Sequence, residues 1–276
     1  MTDHSLGTDP WRLLRTHTPA RIGLGRSGVS LPTAPLLAFQ LAHAQARDAV
    51  HASLDQTAMV AALQALGQRA LALHSAAADR QVYLQRPDLG RVLDADSTAQ
   101  LAALAAALAC GAEATSTTDL ALVVADGLSA LAIERHALPF ITTLLPLLPP
   151  HWRSAPVAVV RQARVAIGDP IGQALRVRLV VVLIGERPGL SSPDSMGLYI
   201  TWAPRPGRLD AERNCISNVR PEGLPLPAAA ARLAWLLVQA DARGLTGVAL
   251  KDDSSGALLG GAAGAAAAGA PIAGLR

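Results

Sequence analysis

Three features of the 276-residue sequence predict an α/β fold, with an N-terminal helical region followed by a Rossmann-like, mostly parallel sheet flanked by helices. The first hundred residues carry Ala and Leu at helical spacing. From Asp119 onward, short apolar runs alternate with helix-like segments, the pattern of a parallel sheet with crossover helices. Val180-Val181-Val182-Leu183-Ile184 is an uninterrupted aliphatic run, which suits a strand buried on both faces.

Composition narrows the class. The chain is 51% hydrophobic, enough for a sizeable core, but only 3% aromatic, so that core must be aliphatic. The net charge is +3, and no dense basic block is interleaved with aromatics, which argues against a nucleic-acid partner. Cys110 and Cys215 form no CxxC and have no His at zinc spacing, which argues against a structural zinc site. The N-terminus lacks a secretory apolar core, and outside the Ala/Gly tail no apolar run is long enough to span a membrane. With thiols reduced, the expected compartment is the cytoplasm.

The elements follow in order. Residues 1–32 read as irregular. Gly23-Leu24-Gly25-Arg26-Ser27-Gly28 fits G-x-G-x-x-G, but no proper strand precedes it, and Pro32 and Pro35 interrupt the place of a helix. It is read as a backbone turn segment rather than a nucleotide loop. A first helix is expected over Pro35–Ala52, capped by Thr33, with Leu37, Leu41, Ala44 and Asp48 near one stripe. His43, Arg47 and His51 share another face, either solvated or in contact with a partner subunit or an anionic group. A second helix is expected over Asp55–Ser75. Gln81–Leu93 is broken by Pro87 and Gly90, and Ser97–Cys110 is a further helix ending in a buried cysteine. This gives a division into 1–114, an N-terminal extension and helical region; 115–253, the α/β domain; and 254–276, a low-complexity Ala/Gly tail expected to be poorly ordered.

In the second part, Leu120–Ala125 is a strand broken by Asp126-Gly127, and Leu128–His136 is a helix. Val157–Val160 is a strand, and Arg164–Asp169 another strand or strand end. A short helix opens at Asp169, with Pro170 in its first turn. Leu179–Ile184 is the central strand and Leu198–Trp202 the next. Asn214-Cys215-Ile216-Ser217-Asn218 is a polar loop, Ala228–Ala242 a helix and Gly247–Leu250 a last strand.

The sequence holds no G-x-S-x-G, Walker loop, H-E-x-x-H or D-x-H-x-x-G. Instead, polar groups collect at strand ends: Asp126, Val165 to Asp169, Glu186 and Arg187 with Ser191, Ser192 and Asp194, then Asn214, Cys215, Ser217 and Asn218. In a parallel sheet such ends share an edge where a polar ligand binds. Each residue also has a structural reading. Glu186 can pair with Arg187 or Arg213 or cap a turn, Cys215 can be a buried packing residue, and Asp126 can cap the following helix.

Long segments add a resemblance. Thr18 to Thr33, Leu36 to His51, ADGLSALAIERHA (Ala125 to Ala137), ARVAIGDPIG (Ala163 to Gly172), LIGERPGLSSPDSMGLYITWAPRPG (Leu183 to Gly207) and AERNCISNVRPEGL (Ala211 to Leu224) resemble the small (light) subunit of ethanolamine ammonia-lyase. The likeness covers residues 10–253. It implies one subunit of an adenosylcobalamin-dependent lyase that converts ethanolamine and other vicinal amino alcohols to an oxo compound and ammonia by radical chemistry. It implies that a large subunit, present in six copies like the small one, binds ethanolamine in a barrel, and that the corrinoid lies between the two subunits. Cobalamin contacts carried over by matching motifs are Val165 in ARVAIGD, Glu186 in IGERPG and Cys215 in RNCISN. Some members have longer N-termini linked to packaging in a bacterial microcompartment. The competing expectations are a stand-alone nucleotide-binding α/β enzyme and a non-catalytic structural partner of the large subunit.

Overall fold

The computed structural model describes residues 11–110 and 118–254. The expected Ala/Gly tail and the boundary near residue 115 lie outside these, as does the side chain of Cys110. The elements are α1 (Trp11–Arg15), α2 (Thr33–His51), α3 (Gln56–Ala65), β1 (Ala70–His74), α4 (Arg80–Gln85), α5 (Ala95–Cys110), β2 (Thr118–Ala125), α6 (Ala130–Leu144), β3 (Val157–Arg161), α7 (Gly168–Ala174), β4 (Val177–Gly185), β5 (Met196–Trp202), β6 (Arg213–Val219) and α8 (Leu226–Arg243).

Six strands form one sheet in the order β1-β3-β2-β4-β5-β6. The first four are parallel to one another, and β5 runs antiparallel to both of its neighbours, β4 and β6. The expected α/β class therefore holds, with helices dominating the N-terminal part. One face packs Leu120, Leu122, Val124, Leu179, Val181 and Leu183 under α3, α6 and α8. The other buries Ala121, Val123, Val180, Val182, Ile184 and Ile171 with α5 and α7. The alternation along β2 and β4 sends successive side chains to opposite cores, so both strands are apolar throughout.

Several local expectations are corrected. Asp55 caps α3 by accepting the Ala58 amide at 2.9 Å, but the helix ends at Ala65, and Ala70–His74 is a strand paired with β3. Its sequence, ALALH, favours helix locally, and pairing with a neighbouring strand overrides that preference. Thr33 lies inside α2 rather than capping it. That helix packs through Ala42, Ala46 and Ala49, leaving Leu37 and Leu41 exposed. Asp94, not Ser97, accepts the first-turn amide of α5. Val165–Ile167 and Gly247–Ala249 are 3-10 turns rather than strands. Residues 214–218, expected as a loop, lie within β6. The three glycines of the G-x-G-x-x-G run all adopt positive φ, as a turn segment requires.

A buried ion pair ties α7 to the far side of the sheet. Arg213 Nη1 and Nη2 donate to the two carboxylate oxygens of Asp169 at 2.8 and 2.7 Å, and Nη1 also donates to Thr201 Oγ1 at 2.8 Å. Both side chains are 2% exposed. Removing one partner strands a buried charge, whereas removing both does not. Asp169→Asn or Arg213→Met is expected to lower stability by about 3–5 kcal/mol in urea denaturation, and the Asp169→Leu/Arg213→Met double variant by less than either single one.

Candidate functional site

The site grows from the C-terminal end of β2. Asp126, 1% exposed, accepts the amides of Gln162 at 2.9 Å and Ala163 at 3.1 Å. It does not cap the next helix. Ser129 does so, accepting the Ala132 amide at 3.2 Å. Gln162 has φ +54°, and its carbonyl accepts from the Ser75 hydroxyl at 2.7 Å. The chain leaving β3 is thus turned sharply, and Arg164 and Val165 are delivered to the sheet edge. Burial raises the Asp126 pKa against the pull of the two amides and Arg80, so the ionised form is held at a cost.

The end of β4 meets the turn after β2 at two glycines. A Cβ on Gly127 would sit 2.2 Å from the Gly185 carbonyl oxygen, and one on Gly185 would sit 2.0 Å from that of Ser129. The Leu128 amide donates to the Gly185 carbonyl at 2.9 Å. In front of this closed seam lies a cavity of about 400 Å³ lined by Tyr83, Leu128, Arg164, Val165, Glu186 and Tyr199, among others. A second cavity of about 340 Å³ shares Arg164, Val165 and Tyr199 with the first.

Glu186 is half-buried and oriented. The Ser195 hydroxyl donates to its Oε2, and the Asn218 amide approaches the same oxygen at 3.2 Å. The alternatives of pairing with Arg187 or Arg213 are not realised; Arg213 is committed to Asp169. Val165 lines both cavities beside Glu186. Cys215 stands on β6, directly opposite Tyr199 of β5. It is exposed rather than a buried packing residue. The two residues stand on the same sheet face, which joins Cys215 to the cavity wall. Partial desolvation of the sulfur raises the Cys215 thiol even though the residue as a whole is exposed, with Tyr199 pulling the other way. Burial raises the Tyr199 phenol too, with Cys215 and the Glu186 charge adding to it. The structure therefore gathers Glu186 and Val165 on one cavity, with Cys215 one strand further out.

Arg187 also lines the Glu186 cavity, whereas Asp194 and Asn214 serve the fold. Asp194 accepts from Arg135 at 2.8 Å, and the Asn214 amide group donates to the Leu250 carbonyl at 2.8 Å. Three wall residues were not expected from the sequence: Tyr83, Arg164 and Tyr199. Tyr83 is fully buried, donates to the Ala163 carbonyl at 3.0 Å and carries the Arg80 and Arg164 guanidiniums 4.8 and 4.2 Å from its ring centre. A signal existed. The sequence has only two tyrosines, and both line this cavity.

The sheet face carrying Tyr199 and Cys215 is open. Helices α6 and α8 pack with Leu198, Ile200 and Ile216 on the opposite face, while Cys215 and Ser217 stay exposed. Two adjoining cavities with acceptors, donors and an apolar floor, running onto an open sheet face, can hold a large polar ligand but not enclose it.

The chain matches the family described as ethanolamine ammonia-lyase light chain (EutC) over residues 8–251. It is 57% identical to an ethanolamine ammonia-lyase small subunit of Ralstonia nicotianae over 94% of both chains. It is 58% identical to one of Pseudomonas aeruginosa over 89% of this chain and 88% of that one. It is 55% identical to one of Azotobacter vinelandii over 95% and 96%. Among the described residues no helix is long and apolar enough to cross a membrane.

Two outcomes follow from this geometry. Asp126→Ala is expected to cost on the order of 3 kcal/mol in urea denaturation and to speed hydrogen exchange at the Gln162 and Ala163 amides. In a Cys110→Ser background, maleimide labelling of Cys215 is expected to be slow at neutral pH and to rise with pH. Tyr199→Phe removes the neighbouring hydroxyl that favours the thiolate, and is expected to shift that rise to higher pH.

Proposed function

This chain belongs to the ethanolamine ammonia-lyase light-chain family, and on that footing we propose that it forms one wall of an adenosylcobalamin site completed by a large subunit that binds ethanolamine. The observation that carries this reading is the half-built site. Glu186 and Val165 line one cavity, Tyr199 links it to Cys215, and the sheet face beyond is uncovered. The donor set fits a corrinoid, whose rim bears amide side chains and whose adenosyl group bears hydroxyls. Glu186, held by Ser195 and the Asn218 amide, presents a fixed acceptor for such N–H and O–H donors. Val165, Leu128 and Ile184 supply apolar contact.

When bound, the cofactor supplies a cobalt–carbon bond whose homolysis starts radical chemistry on the amino alcohol. The chain's own part is to bind, orient and exclude water. Glu186 fixes the ligand edge with hydrogen bonds that need no rearrangement on binding. Val165 and the closed seam between Gly127 and Gly185 present a dry floor, which protects a reactive centre from solvent. Cys215 and Tyr199 pack along the margin. No acid, base or nucleophile of this chain is assigned to the bond-breaking steps; those belong to the cofactor and the large subunit. The complex is placed in the cytoplasm, with packaging in a microcompartment left to the family association.

The test is reconstitution with a cognate large subunit and adenosylcobalamin, with acetaldehyde released from ethanolamine as readout. Full activity is expected only with both chains. Glu186→Ala is expected to weaken cobalamin binding roughly 5- to 30-fold, read from corrinoid absorbance. Unchanged affinity in that variant, or a large subunit fully active alone, would overturn the reading.

A further inference from the structure

Two arginines at the second cavity have charges that the fold does not use. Arg164 stacks on Tyr83, and its Nη2 donates to the Tyr83 carbonyl at 3.3 Å, yet its Nε is buried without a hydrogen-bond partner. Arg91 is exposed at the same cavity, and among the described residues neither arginine makes an ion pair. Of the other charges in that lining, Arg208 pairs with Glu212, and the exposed carboxylate of Asp210 lies 3.6 Å from Arg213 Nε, leaving one carboxylate in the lining against the two arginines.

The two arginines are also held together by design of the backbone. The Arg164 amide donates to the Gly90 carbonyl at 2.7 Å. A Cβ on Gly90 would lie 2.8 Å from Arg164 Cγ and 3.1 Å from the Gln162 carbonyl oxygen. Only glycine lets the turn holding Arg91 close onto the Arg164 stem. This brings Arg91 and Arg164 to one cavity lining, which shares Arg164, Val165 and Tyr199 with the cavity holding Glu186.

We propose that Arg91 and Arg164 form an anion subsite for the phosphodiester that joins the nucleotide tail of cobalamin to the corrinoid. Guanidinium is the side chain suited to phosphate, through paired N–H donors and a charge that never titrates away. This proposal rests on the corrinoid-wall reading and extends it: Glu186 reads the ring's rim, and the arginines read the tail. The subsite contributes affinity and registers the ligand along the open face. It takes no part in bond breaking.

The experiment compares cobinamide, which lacks the phosphate, with cobinamide phosphate, which carries it. Each is titrated into the complex with the large subunit and followed by corrinoid absorbance. The unmodified complex is expected to bind cobinamide phosphate about tenfold or more tightly than cobinamide. Arg91→Gln, a surface change that leaves the fold alone, is expected to erase much of that preference without altering cobinamide affinity. Arg164→Gln is expected to do the same, and Arg164→Lys to restore part of it. An unchanged preference in Arg91→Gln and Arg164→Gln, or an equal weakening of both corrinoids, overturns the subsite. If Glu186→Gln still weakens both corrinoids in that case, the wall reading stands without it. If Glu186→Gln has no effect on either, the wall reading falls and the subsite with it.

Discussion

The carboxylate of Asp126 is the constraint on which the site depends. It sits at the end of β2 with almost no exposure and accepts two successive amides from the chain leaving β3. Those two bonds force Gln162 into a left-handed conformation and turn the backbone so that Arg164 and Val165 face the cavity. Arg80 reinforces the same corner by donating to the Gly127 carbonyl at 2.7 Å and approaching Asp126 at 3.8 Å. A buried carboxylate is expensive, and the two amides and Arg80 offset only part of its desolvation. The cost is borne where three strand ends must be held in one arrangement.

Two further features make the site open rather than enclosed. The glycines after β2 and β4 let the two turns touch, which closes the sheet edge behind the cavity. Beyond β4 the sheet turns antiparallel, and the helices that pack on β5 and β6 lie on one side only. Among the described residues no helix covers Cys215 and Ser217 on the other side. The buried Asp169–Arg213 pair matters here because it anchors the start of β6 to α7, fixing the open face without a covering helix.

Legibility differed by residue. The strands β2, β3, β4 and β5 were readable because unbroken or near-unbroken apolar runs have few other uses. The strand at Ala70–His74 was not, because ALALH carries no β-branched residue and its state is decided by β3 beside it. Residues 214–218 looked like a loop because Cys215 and Ser217 face an uncovered sheet surface, where polarity costs little, and Asn214 spends its polar group on the Leu250 and Gly247 carbonyls. Glu186 and Val165 were identified through motif resemblance, and the structure puts them on one cavity. Arg164, Tyr83 and Tyr199 were missed because each owes its role to neighbours that are distant in sequence.

By itself the sequence determined the α/β class, the order of its main strands and helices, the aliphatic core and the family, since these follow from periodicity, composition and long contiguous motifs. Only the tertiary structure decided which strand ends meet, that Asp126 pins a turn instead of capping a helix, that Cys215 is exposed on a strand, and that Arg91 and Arg164 stand side by side with charge to spare. The physical reason is the same in each case. Hydrogen-bond partners, burial and cation stacking are properties of groups brought together across the chain, and no local pattern records which of them will meet.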